Sequence, residues 1–218
     1  MIVTARDTSL IAALCGPVRG FSWEQVRTWW PGFETDTASG RRAALRRLSL
    51  LIERGLLVRH RFSARPTLWL TEPMACWSPQ ESPCDFDKLA RRLAKRWQAP
   101  PVTTSVYRAT RRAVNLFGGV LRHRPAPGYQ VSHDLGLSAV YLHYLRSRPD
   151  EVVRWKGEDE LPRGRAGSSG RKRPDAALAG RKGLVRAVEF GAAYPADRLR
   201  EFHDDCAGRT PPLAYEVW

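Results

Sequence analysis

The residues best placed to do chemistry in this 218-residue chain are arginines. Arg41, Arg42, Arg46 and Arg47 fall close together, and Arg59, Arg61 and Arg65 follow at short intervals. A guanidinium stays charged at any physiological pH and presents a planar fork of N–H donors. That fork fits phosphate oxygens and the O6/N7 edge of guanine. A second basic group, Arg91, Arg92, Lys95 and Arg96, lies further along. The chemistry on offer is polyanion binding. Solvated helix faces use the same residue types, so the elements that carry the arginines must decide.

Those elements read as helix, stop and hairpin. Polar residues 35–40 supply several candidate N-caps, and Ala44, Leu45, Leu48, Leu51 and Ile52 recur at helical spacing as a stripe to be buried. Gly55 falls where the helix must end, with Leu56 as the apolar partner of a glycine C-cap. Two β-prone runs, 57–62 and 67–71, flank a turn at residues 63–66 and predict a hairpin. A helix at residues 8–15 and another opened by Ser22 and Gln25 as a capping box precede them. Pro31-Gly32 is the expected stop of that second helix. The set outlines a winged helix-turn-helix to residue 73. Arg41, Arg42, Arg46 and Arg47 would face the major groove, and Arg59, Arg61 and Arg65 on the wing would contact phosphates. Winged helices that dock proteins share this outline.

Composition agrees with a polyanion partner. Basic residues number 36 against 22 acidic, a formal net charge of +14. Residues 1–84 carry 11 basic and 7 acidic groups, 85–125 carry 10 and 2, and 126–218 carry 15 and 13. The polyanion-facing surface is therefore expected within the first 125 residues, with double-stranded DNA as the partner. No run approaches the roughly 18 apolar residues of a spanning helix, so the expected setting is cytoplasmic, with no membrane partner. Cys15, Cys76, Cys84 and Cys206 form no CxxC pair, which leaves zinc without its usual spacing and fits ordinary thiols of a reducing compartment.

Residues 72–83 hold three prolines and read as a linker. Asp85 caps an expected helix bearing Arg91, Arg92, Lys95 and Arg96, and a second helix is expected from Thr103 to Phe117. Three roles are open for this pair: a brace, a dimerisation element of a homodimer, or a second phosphate-contacting surface. From residue 126 the pattern changes to a helix (131–145), strands near 152–155, 176–179 and 184–191, a helix (195–207) and a last strand (213–218). Residues 163–173 are rich in Gly, Ser and Arg and read as a loop. The resulting division is 1–73 winged helix, 74–125 basic helical connector, and 126–218 an αβββαβ domain.

That element order, with Pro174-Asp175 entering one strand and Glu189 in the next, resembles the PD-(D/E)xK restriction-endonuclease-like fold. The resemblance implies that Asp175 and Glu189, 14 residues apart, would be the metal-holding acids. Mg²⁺ would then activate water and offset charge on a phosphate. The lysine of that pattern falls on Gly191, with Arg198 or His203 as potential replacements; an arginine, Arg186 or Arg198, is alternatively expected to hold a buried Glu189. The whole chain also resembles the replication-relaxation family of plasmid and integrative-element proteins. The resemblance rests on "VSHDLGLSAVYLHYL", "KRPDAAL" and "AVEFGAAYPADRLREF", although Gly191 replaces the second acid of that family's ExD pattern. It implies a DNA-binding protein of a mobile genetic element, acting in replication, transfer, transposition or their transcriptional control, beside a transposase, relaxase or replication protein. The expected fold is thus α/β with a non-cutting, pseudo-nuclease C-terminal domain and no cofactor. The alternative is a metal-dependent DNA endonuclease using Asp175, Glu189 and Mg²⁺.

Overall fold

The computed structural model describes residues 3–29, 37–120, 128–162 and 173–218. Along the chain come α1 (Ala5–Cys15), β1 (Phe21–Ser22), α2 (Trp23–Trp29), α3 (Ala38–Glu53) and β2 (Leu57–Ala64). Next are β3 (Ala75–Trp77), α4 (Phe86–Arg96), β4 (Val102–Ala109), α5 (Arg111–Phe117) and α6 (Gly128–Ser147). Last are α7 (Pro149–Val152), β5 (Trp155–Gly157), β6 (Ala176–Gly180), β7 (Gly183–Glu189), α8 (Ala196–Ala207) and β8 (Ala214–Val217). The fold is mixed α/β, with strand orders β1-β4-β2 and β3-β8-β7-β6-β5. No helix among the described residues is long and apolar enough to cross a membrane.

The chain forms two compact units that interleave in sequence: 1–67 with 101–142, and 68–100 with 143–218. This differs from the division at residues 73 and 125. The stretch expected as a connector is shared out, 74–100 to the second unit and 101–125 to the first, and residues 68–73 of the expected winged helix also join the second unit. Physical reasons are visible on both sides. In the first unit Ser138 Oγ donates to Gly20 O at 2.7 Å, and Gln25 Nε2 donates to Leu135 O at 2.7 Å. Arg19 pairs with the buried Asp134 at 2.9 Å. These bonds hold the first part of α6 to the N-terminal helices.

Local signals set the first unit's helices. Gln25 N donates to Ser22 Oγ and Ser22 N to Gln25 Oε1, a closed capping box. Gly40 N donates to Thr37 Oγ1 at the start of α3. Gly55 takes φ +66° where α3 ends, and Leu56 N reaches back to Leu51 O at 3.0 Å. Ala44, Leu48 and Leu51 are buried, but Leu45, expected in the same stripe, is 38% exposed. At about 100° per residue it turns one step away from the buried line.

The expected strand at 67–71 does not form, and the expected helix from Thr103 to Phe117 is strand β4 followed by α5. β4 pairs antiparallel with β2 over its full length, from Leu57↔Ala109 to Ala64↔Val102. The run Val102-Thr103-Thr104-Ser105-Val106-Tyr107 is rich in β-branched residues, and pairing with β2 overrides its weaker helical spacing. Thr110 then caps α5 through Ala113 N at 3.1 Å. Val106 joins Ala64, Val131 and Leu135 in a small core, with Phe62 packed against it.

In the second unit β3 and β8 are antiparallel, β8 and β7 parallel, and β7, β6 and β5 antiparallel in turn. The presumed linker at 72–83 therefore contains an edge strand. Residues 152–153, expected as strand, end α7 and lead into β5, and Val153 is 80% exposed. One face of the sheet buries Ala187, Tyr215 and Val217 against Leu89 and Leu93 of α4 and Leu199 and Phe202 of α8. The opposite face carries Glu216, whose carboxylate accepts from Tyr144 Oη (2.7 Å), Trp218 Nε1 (2.9 Å) and Arg148 Nη1 (2.7 Å). Alternation along β8 sends neighbouring side chains to opposite faces. The expected stop at Pro31-Gly32 and residues 163–172 of the expected loop lie outside the described residues.

Candidate nucleic-acid interface and the acidic pair

On α3, Arg41, Arg42 and Arg46 are exposed, and Ser49 and Glu53 share their face. Arg47 departs from the expected groove set. Its Nε donates to Asp7 Oδ1 at 2.9 Å, its Nη2 contacts Oδ2, and Asp7 is only 1% exposed. Thr4 N and Oγ1 also donate to Asp7, at 2.7 and 2.8 Å. Burial alone would raise the Asp7 carboxyl, yet the Arg47 and Thr4 hydrogen bonds leave it below the ordinary range. Arg47 ties α3 to α1. It is a structural cation.

β2 alternates. Arg59, Arg61 and Ser63 are exposed, while His60 and Phe62 are partly covered on the other side. In register, Arg59 lies opposite Tyr107 and Arg61 opposite Ser105. Arg65 follows the strand rather than sitting in a tight turn; it is half-buried and its N–H donates to Ser132 Oγ at 3.0 Å. Arg91, Arg92 and Lys95 are exposed on α4, in the second unit, so the structure does not join them to α3 in one compact body. Arg92 Nη1 donates to Met74 O at 3.3 Å. Arg96 is half-buried over the Phe190 ring at 5.3 Å, with Nε and Nη2 buried and lacking an acceptor. Burial, then repulsion from Arg92, brings its guanidinium down to about 10.

The acids Asp175 and Glu189 are brought together by β6 and β7, at 7% and 0% exposure. Their bonding is reciprocal. Asp175 N donates to Glu189 Oε2 at 3.1 Å, and Phe190 N donates to Asp175 Oδ2 at 2.9 Å. Tyr194 Oη donates to Glu189 Oε1 at 3.1 Å. Burial, with the negative charges of Glu189 and Asp175, holds the Tyr194 hydroxyl far above its usual value, so it stays a donor. The expected arginine partners are engaged elsewhere. Arg186 pairs with Glu151 at 2.7 Å and Glu216 at 3.3 Å, and Arg198 with Glu201 at 3.8 Å. His203 Nδ1 lies 3.2 Å from Tyr215 Oη.

At Gly191 a side chain would require Leu93 to shift. A Cβ built there would sit 2.7 Å from Leu93 Cδ1 and 3.1 Å from Val217 Cγ1. Its N–H donates to Trp218 O at 2.8 Å, and Trp218 N to Glu189 O at 2.9 Å, which prolongs the pairing of β7 with β8. No family model, characterised protein or solved structure matches the chain. The chemistry of the donor set is the remaining guide to a metal. Mg²⁺ demands octahedral oxygen ligation with most sites open to water. Here both Glu189 oxygens and one Asp175 oxygen already accept N–H or O–H bonds, and no third His, Cys, Asp or Glu clusters with them among the described residues. Three of the pair's four carboxylate oxygens are thus engaged by the protein's own donors.

The sequence places Leu93 on the apolar side of the helix capped by Asp85 and Tyr194 at the start of the helix at 195–207, and gives no role to Asp7. Tyr194's hydrogen bond to Glu189 and Leu93's packing against Gly191 arise only in the fold.

Proposed function

We propose that the first unit binds double-stranded DNA, with α3 in the major groove and β2 along the neighbouring backbone. The carrying observation is the exposed face of α3, on which Arg41, Arg42 and Arg46 form no ion pair among the described residues, beside a strand exposing Arg59 and Arg61. The element order supports a winged-helix reading. Helix, strand, helix, helix and strand β2 follow in sequence, and β2 pairs with β4 across residues 65–101, an interval that holds β3 and α4. Charge points the same way: residues 1–67 with 101–142 hold 16 basic and 6 acidic groups, a surplus of 10 out of 14 for the chain. Phosphate neutralisation converts such a surplus into affinity that falls steeply with salt.

The second unit, in this reading, is a nuclease-like scaffold whose acids bond the backbone. The strand order and the sites of Asp175 and Glu189 support the resemblance; Tyr194 and Leu93 argue against cutting. The mobile-element setting, and a transposase, relaxase or replication protein as partner, rest on the sequence resemblance. The endonuclease alternative is favoured by one observation, the adjacency of Asp175 and Glu189. Fluorescence anisotropy of the full chain on random duplexes, titrated with salt, tests the main reading. Salt-sensitive binding supports it. A chain inert towards DNA at low salt removes it.

A further inference from the structure

The exposed face of α3 is not uniformly charged. At about 100° per residue, Arg41 lies on one flank and Arg42 and Arg46 on the other, with Leu45 between them and Ser49 beside it. Leu45 is 38% exposed, whereas Ala44, one residue before it, and Leu48, three after, are 0% and 1% exposed. An aliphatic side chain at the middle of an arginine-flanked face is poorly placed for phosphate contact. Its position suits the floor of a major groove, where the one apolar group on a base edge is the C5-methyl of a pyrimidine.

Resting on the DNA-binding reading above, we propose that Leu45 is a specificity-determining residue that recognises a C5-methylated pyrimidine, with Arg42 and Arg46 reading adjacent base edges. Thymine and 5-methylcytosine share this chemistry. The arrangement predicts a site in which one methyl-bearing position is flanked by guanines, since bidentate arginine–guanine contacts are the commonest specific pairing.

The test starts with selection of preferred duplexes by the full chain. Each thymine of the selected site is then replaced by deoxyuridine, which lacks only the methyl, and each cytosine by 5-methylcytosine. Affinities are measured for the native chain and for Leu45→Ala and Leu45→Gln. The expected result is a loss of about fourfold at one deoxyuridine position, the scale of one buried methyl group. That penalty should vanish in both variants, each checked by circular dichroism to be folded at the assay temperature, since Leu45 is only 38% exposed and its loss lowers the melting temperature somewhat. If 5-methylcytosine is the source, methylating one cytosine should raise affinity by a similar factor, again only with Leu45 present. Insensitivity of the native chain to every methyl change overturns the proposal while leaving DNA binding intact. A methyl effect that persists in both variants overturns it too. Failure to bind any duplex removes the underlying reading, which is a separate outcome.

Discussion

Arg47 on α3 and Asp7 on α1 form a bidentate ion pair in which the carboxylate is buried and the guanidinium reaches it from the surface, at side-chain exposures of 1% and 22%. The pair explains why one of four neighbouring arginines is withdrawn from the helix's outer face. Asp7 also closes the α1 capping box with Thr4, so one carboxylate serves two helices.

Asp7 makes stability depend on acid pH. Its folded pKa is depressed, so its contribution is present above the unfolded value near 3.8 and is lost as pH falls through the folded value. Melting temperature should therefore fall below about pH 4, and more steeply for the native chain than for Asp7→Asn. Arg47→Ala should cost about 1–3 kcal/mol at neutral pH, below the 3–5 typical of a fully buried pair because Arg47 is partly exposed. Equal acid profiles for native and Asp7→Asn would show that other carboxylates dominate.

Arg42, Arg46 and Arg61 should separate by what they contact. Arg42→Ala or Arg46→Ala should cost about 1–3 kcal/mol on the selected site and relax its sequence preference. Arg61→Ala should weaken all duplexes alike and lower the salt slope by about 0.9. Arg47→Ala should lower the melting temperature and leave sequence preference intact. Anisotropy titrations on selected and scrambled duplexes distinguish these patterns.

Gly191 should resist enlargement. Gly191→Ala places a methyl against Leu93 and should cost about 1–3 kcal/mol by overpacking. Leu93→Ala should also destabilise, by leaving a cavity. The double substitution should be less destabilised than the two effects added, because the small side chain at 93 relieves the clash. Strict additivity in urea denaturation would place the strain elsewhere.

Tyr194→Phe removes the O–H donor to Glu189 and should cost about 1–3 kcal/mol, the range for a buried acceptor losing its partner. Native chain, Tyr194→Phe and Asp175→Ala are all expected to leave supercoiled plasmid intact in Mg²⁺ or Mn²⁺. Metal-dependent nicking by the native chain that disappears in Asp175→Ala would make the acids catalytic.

Much of the local structure was legible in the residues themselves. The Ser22–Gln25 capping box, the Thr37 cap, Gly55 and the Asp85 cap all lie where the sequence puts them, because each bond joins groups within four residues. The long α6, the β6–β7 hairpin, α8 and β8 were readable for the same reason: their periods are local. Juxtaposition of Asp175 and Glu189 follows from that hairpin.

Tertiary structure decided the rest. β2 had to choose between residues 67–71 nearby and 102–109 beyond an inserted segment, and nothing local encodes that choice. The longer, β-branched partner won, and the interval joined the other sheet as β3 and α4. Whether an arginine points outward or pairs inward depends on an acid 40 residues away, as Asp7 does for Arg47. Glu189 likewise received Tyr194 as donor where sequence pointed to an arginine, and α4 brought Leu93 against Gly191. Periodicity specifies a face, but what covers that face is set by long-range packing.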